Sequence, residues 1–134
     1  MKNCIRLLIA ASVALTVQAL AQGFPTKPVR LIIGFTPGSA ADVVGRVVGE
    51  KLSELWGQPV VADNRIGAGG TIAASLVAKA APDGYTLLSH SSAHVANAVI
   101  YANLPYDTLK GFTHLALLVA GPNVLIVGRQ AVWK

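Results

Sequence analysis

The chain has 134 residues, 53% of them hydrophobic, with 11 Lys and Arg against 6 Asp and Glu and a formal net charge of +5. That length allows one modest domain. If the first 21 residues are a leader, Lys2 and Arg6 leave with it, and 9 basic against 6 acidic residues put +3 on 113 residues, which is no nucleic-acid signature.

The leader reading rests on three features in order. Met1 to Arg6 is basic, Leu7 to Leu20 is apolar apart from Ser, Thr and Gln, and Ala19-Leu20-Ala21 has the small residues expected before a cleavage site. The apolar run is short for a membrane span, so residues 1–21 read as a signal peptide cut after Ala21. Cys4, the only cysteine, precedes the apolar run, whereas a lipoprotein cysteine would follow it. A cysteine-free mature chain suits export without disulfides and excludes cysteine nucleophiles and thiolate metal sites.

The organising stretch follows, from Val29 to Leu55. Val29, Leu31, Ile32 and Ile33 form an apolar β-rich run that fits a strand covered on both faces. Gly34 and Pro37-Gly38 break it, and Ser39-Ala40-Ala41-Asp42 has the Ser-x-x-Asp form of a capping box opening a helix. Backbone N–H groups around residues 38 to 42 would then face outward, ready for an anion. Gly57 is a stop signal and Pro59 cannot continue the helix. Val60-Val61-Ala62 reads as a second strand ending in the turn formers Asp63-Asn64. After the Gly67-Ala68-Gly69-Gly70 loop, Thr71 caps a predicted helix over Ile72 to Ala81, with Ile72, Leu76, Val77 and Ala80 as its buried stripe. Pro82-Asp83-Gly84 is a tight turn, Tyr85 to Leu88 a third strand, Ser89 to Ala93 a polar loop and His94 to Tyr101 a short helix. His114 to Val119 and Asn123 to Val127 read as two further strands.

The order β-α-β-α-β predicts an α/β fold with a parallel, doubly wound sheet and right-handed crossovers. If the strand order is 2-1-3, the winding reverses between the first and third strands, and ligands of such sheets sit beyond the carboxyl ends at that point. Loops 34–40 and 89–94 are therefore the candidate site. The first offers the N–H groups of Gly38, Ser39 and Ala40 and the Ser39 hydroxyl; the third strand's loop offers Ser89, His90, Ser91, Ser92 and His94, with Asn97 a turn beyond. Neutral donors suit an anion that must be held and then released. The plain alternative is that Ser39 only caps its helix and the other serines only form a turn.

Gly34-Phe35-Thr36-Pro37-Gly38-Ser39-Ala40-Ala41-Asp42 followed by Arg46, then Asn64-Arg65-Ile66-Gly67-Ala68-Gly69-Gly70, Ala81-Pro82-Asp83-Gly84-Tyr85-Thr86-Leu87-Leu88 and Leu104-Pro105-Tyr106-Asp107 together carry a resemblance. In this order and spacing, from Phe24 to about Val127, the chain resembles the extracytoplasmic solute-binding proteins of tripartite tricarboxylate transporters, the Bug family. The resemblance implies a two-lobed periplasmic receptor of the type 2 binding-protein fold that closes on a small carboxylate and passes it to membrane permease subunits. It needs no cofactor. Carried over residue by residue, it implies ligand contacts at Phe35, Gly38, Ser39, Ala40, Ser91, Ser92, His94 and Asn97. Ser39 stands where family members usually have a second Gly, and Ala98 where Pro is common, which leaves ligand identity open among di- and tricarboxylates, aromatic acids and amino acids. Such receptors are more than twice as long, so residues 22–134 are expected to be a partial N-terminal lobe, a truncated product without the second lobe.

Asp42 and Arg65 are secondary candidates. Asp42 is first a helix-start residue, and Arg46, one turn on, is placed to pair with Asp42 or Glu50. Arg65 lies off the switch point, where rim or structural duty is the simpler role. Enzyme readings are weak: Ser89, Ser91, Ser92, His90 and His94 share one loop without a Gly-x-Ser-x-Gly elbow, and no Gly-x-Gly-x-x-Gly or Gly-Lys-Ser/Thr motif occurs. His90, His94 and His114 have no acidic or thiolate companions at metal spacing, so no metal is expected. A small nucleotide-dependent or hydrolytic α/β enzyme is one alternative, and a vestigial domain that binds nothing is another.

Overall fold

The computed structural model describes residues 23–121, so the signal peptide and the strand over Asn123 to Val127 lie outside the described residues. The elements run β1 (Val29–Ile33), α1 (Ala40–Trp56), β2 (Val60–Asn64), a 3-10 turn (Ala68–Gly70), α2 (Thr71–Ala78), β3 (Thr86–Ser89) and α3 (Ala93–Ile100). The sheet order is β2-β1-β3 and both pairings are parallel, with Leu31 opposite Ala62 on one side and Leu87 on the other. The central position of β1 explains its composition. Val29, Ile32 and Ile33 are fully buried, and with Leu31, Ala73 and Ala74 they make the core.

α1 lies close against the sheet because two glycines one turn apart leave room. A Cβ on Gly45 would lie 3.3 Å from Ile33 Cδ1, and one on Gly49 3.5 Å from Leu31 Cδ2. Leu31 and Ile33 therefore face α1, and strand alternation turns Ile32 to the opposite side. Ser39 caps the helix, its hydroxyl accepting from the Asp42 N–H at 3.3 Å. At the other end Gly57 takes φ 63° and its N–H donates to the Ser53 carbonyl. The Ser53 hydroxyl donates to the Gly49 carbonyl and accepts from the Val60 N–H, both at 2.8 Å, which ties the helix end to the start of β2. Nothing lies within 4 Å of a Cβ built on Gly57. Gly57→Ala is therefore expected to cost backbone strain alone, about 1 kcal/mol, and to lower the thermal midpoint by several degrees. An unchanged melt would show that the turn relaxes.

Five expectations are corrected. Asp63 and Asn64 are not turn residues; the parallel ladder continues through them, opposite Ile32 and Ile33. α2 is capped by Gly70 rather than Thr71 and ends at Ala78 rather than Ala81. Its buried residues are Thr71, Ala73 and Ala74, because small side chains let the helix sit close to the sheet, while Ile72 is half exposed. His114 to Val119 forms no strand, and Leu115 and Leu117 are 75% and 84% exposed. An apolar run becomes a strand where a sheet edge receives it, and no described strand pairs with this one. Among the described residues no helix is long and apolar enough to cross a membrane.

Candidate functional site

With β1 and β3 adjacent, their carboxyl-end loops meet. The Gly34 N–H reaches the Ser89 carbonyl at 3.4 Å, and the Ser89 hydroxyl donates to the Ala41 carbonyl at 3.3 Å. The expected switch-point geometry is thus present, and the question is which donors remain for a ligand.

In the first loop most are already used. The Asp42 carboxylate, 4% exposed, turns back over the loop and accepts from the Gly38 N–H at 2.9 Å. It also accepts from Arg46 Nε at 3.0 Å and Asn64 Nδ2 at 2.8 Å. These contacts, Arg46 first, lower its pKa to about 2. The Ser39 N–H donates to the Thr36 carbonyl. So the capping box closes in altered form, with the acid's return bond on Gly38 instead of Ser39. The Gly38 and Ser39 N–H groups and the Asp42 carboxylate are spent on shaping the loop, and the Ala40 and Ala41 N–H groups face no acceptor among the described residues. Asn64 completes the frame by donating to the Phe35 carbonyl and accepting from Arg46, at 2.9 and 2.7 Å.

The second loop packs behind the third. Asn97, 3% exposed, donates to the Gly69 carbonyl at 2.9 Å, which pins the Gly67–Gly70 turn instead of presenting a free amide. Arg65 lies on Asp63, which also holds Arg30, and the two guanidinium groups hold the Asp63 carboxyl below its usual range. Arg65 is thus engaged in an ion pair at the end of β2.

The third loop carries the remaining candidates. Ser91 accepts from the Ala93 N–H through its hydroxyl and from the His94 N–H through its carbonyl. Ser92 caps α3 with its carbonyl, and its exposed side chain makes no capping bond. His94 is nine-tenths buried within a row of rings. Its centroid lies 5.1 Å from His90, 6.0 Å from Tyr106 and 4.9 Å from Phe112, and Phe35 lies 5.1 Å from His90. Burial, then the neighbouring His90, lowers the His94 pKa, against a bond to the Thr108 backbone.

His90 occupies space that side chains at two other positions would need. A Cβ on Gly34 would meet His90 Cδ2 at 3.2 Å, and one on Gly70 would run into His90 Nε2. Sequence reasoning missed Asn64 and Tyr106 and placed His90 only among the polar residues of its loop. Asn64 looks like a turn former, and the glycines at 34 and 70 look like flexible loop. The one available signal was a bulky ring in a chain with a glycine after the first strand and another before the second helix. Among the described residues no group of three or more His, Cys, Asp or Glu is placed to hold a metal.

A family profile described as the tripartite tricarboxylate transporter family receptor matches residues 44–133. The chain belongs to that receptor family. It is 43% identical over 127 residues to a UPF0065 protein of Bordetella bronchiseptica, covering 93% of this chain and 38% of that protein. It is 37% identical over 121 residues to BugT of Bordetella pertussis, covering 89% and 37%. MatC from Rhodopseudomonas palustris, solved with bound malate, superposes with a TM-score of 0.66 at 41% identity, covering 71% of this chain and 33% of MatC. The chain thus spans about a third of the length of these receptor-family proteins. The profile match begins at Val44, so it includes the loop with Ser91, Ser92, His94 and Asn97, while Phe35 to Asp42 precede it.

Proposed function

We propose that this chain supplies one wall of a periplasmic receptor site for a small carboxylate, delivered to the permease subunits of a tripartite transporter, with no catalytic step of its own. The likeness to MatC, a protein solved with malate, carries the reading. The meeting of the first and third loops at the winding reversal supports it. In this reading the contacts are Phe35, the Ala40 N–H, Ser91, Ser92 and His94, with Gly38, Ser39 and Asn97 holding the loops in shape. Residues 1–21 would direct export and be removed by cleavage after Ala21.

A bound ligand stabilises the fold by RT ln(1 + [L]/Kd), about 1.4 kcal/mol at tenfold excess over Kd. Thermal melts of the chain with malate, citrate, succinate, glutamate and an aromatic acid, with ATP and NAD as controls, test this. The expected result is a midpoint raised by one acid class and by neither nucleotide. A rise with ATP or NAD alone would favour the nucleotide-enzyme reading, and no rise with any acid would refute carboxylate binding by this chain.

A further inference from the structure

His90 and His94 form a basic pair with no counter-charge among the described residues. His90 Nδ1 lies 3.1 Å from the Ser91 carbonyl, an acceptor, so Nδ1–H donates to it and the ring's second nitrogen, Nε2, is left over. That Nε2, His94 Nδ1 and the Tyr106 hydroxyl are buried without a hydrogen-bond partner among the described residues. Buried polar groups are paired as a rule, so three orphans in one row of rings call for an explanation. The groups facing the pair are Phe35 and the Gly34 and Gly70 backbone around His90, and Tyr106, Phe112, the Thr108 backbone and the more distant His114 around His94. None is acidic. Asp42 is tied to Arg46 and Asn64, and Asp107 accepts from the Leu109 and Lys110 N–H groups at 2.9 and 2.8 Å.

We propose that the His90–His94 pair is the charge-balancing element of the carboxylate site: the anion binds at the first and third loops together with one proton, which the pair takes from solvent. This rests on the carboxylate-receptor reading above. The permanent cations on α1 are already spent, Arg46 on Asp42 and Asn64 and Lys51 on Glu54, so the candidate contacts are neutral donors. An imidazolium a few ångströms from a bound carboxylate is stabilised by it. A second proton is disfavoured, since the rings are 5.1 Å apart. In the free protein burial holds His94 neutral, which is the direction of its lowered pKa. Stability contributed by that neutral form is present above about pH 6.5 and is lost as pH falls toward the folded value. Binding runs the opposite way, because anion and proton arrive together and each raises the affinity for the other.

The test uses the uniformly 15N-labelled full chain, with malate as probe. At about pH 7, malate is expected to move one imidazole signal toward its protonated position. Calorimetry in two buffers of different ionisation heat should show uptake of up to about one proton, and affinity should rise by up to about tenfold per unit as pH falls from about 8 to 6. His94→Gln should bind with a shallower pH dependence; if it does not fold, the wild-type imidazole signals still decide. Malate that perturbs the Ala40 and Ala41 amides while both imidazoles stay neutral would overturn the inference and leave the receptor reading standing. Malate that perturbs nothing would overturn both.

Discussion

Gly70→Ala is expected to destabilise the chain by about 3 kcal/mol, lowering the melting midpoint by more than about 10 °C. Two costs add. Gly70 sits at φ 88°, where an L side chain is strained, and the new Cβ would run into His90 Nε2. Gly38→Ala separates them. Gly38 has φ 82° with nothing within 4 Å of a built Cβ, so its alanine variant should show the backbone cost alone, about 1 kcal/mol. Removing the ring supplies the second control. In a double-mutant cycle, Gly70→Ala placed on His90→Ala should cost about as little as Gly38→Ala, because the space is then free. Equal costs for Gly70→Ala with and without the His90 ring would refute the steric account. Such a chain has little stability to lose, so this change alone could abolish cooperative folding.

The same pair of residues shows where the sequence stops being informative. β1 and α1 were legible because their signals are local: an apolar run of strand length, a break, Ser39 before Asp42, and Gly57 after the last turn. Parallel pairing followed from the alternation of strands and helices, whereas the order 2-1-3 entered only as a condition, which the observed β2-β1-β3 order meets. Contacts between distant loops have no such local mark. His90 against Gly34 and Gly70, or Asn97 on Gly69, joins residues 20 to 56 positions apart in the chain, and each residue type taken singly suggests a turn or a polar loop. Asn64 is the sharpest case. As a turn former after Asp63 it predicts the end of a strand, whereas its amide instead bridges the Phe35 carbonyl and Asp42 from within the ladder. The candidate donors were misjudged for a related reason. Spacing tells that Gly38 and Ser39 open a helix, but whether their N–H groups point to solvent depends on where the Asp42 carboxylate turns.

That carboxylate also determines how the loop responds to acid. Asp42 has a folded pKa of about 2, below the ordinary carboxylate value near 3.9, so its contribution to stability is complete above about pH 4 and is lost as pH falls through 2. Asp63, Asp83 and Asp107 are lowered as well, each by its own hydrogen bonds, so the acid-induced loss is a sum. Asp42→Asn is expected to melt lower than the wild type at neutral pH. One amide oxygen cannot serve the Gly38 N–H, Arg46 and Asn64 together, and its NH2 group adds a donor among donors. Between about pH 4 and 2 the variant's stability should then fall less steeply than the wild type's, by the uptake of one proton, and the two curves should converge at the acid end. Faster amide exchange at Gly38 and Ser39 in the variant would place the damage in the first loop. Parallel pH curves for the two proteins would mean that Asp42 does not hold its charge in the fold, and the first loop would then owe its shape to Ser39 and Asn64 alone.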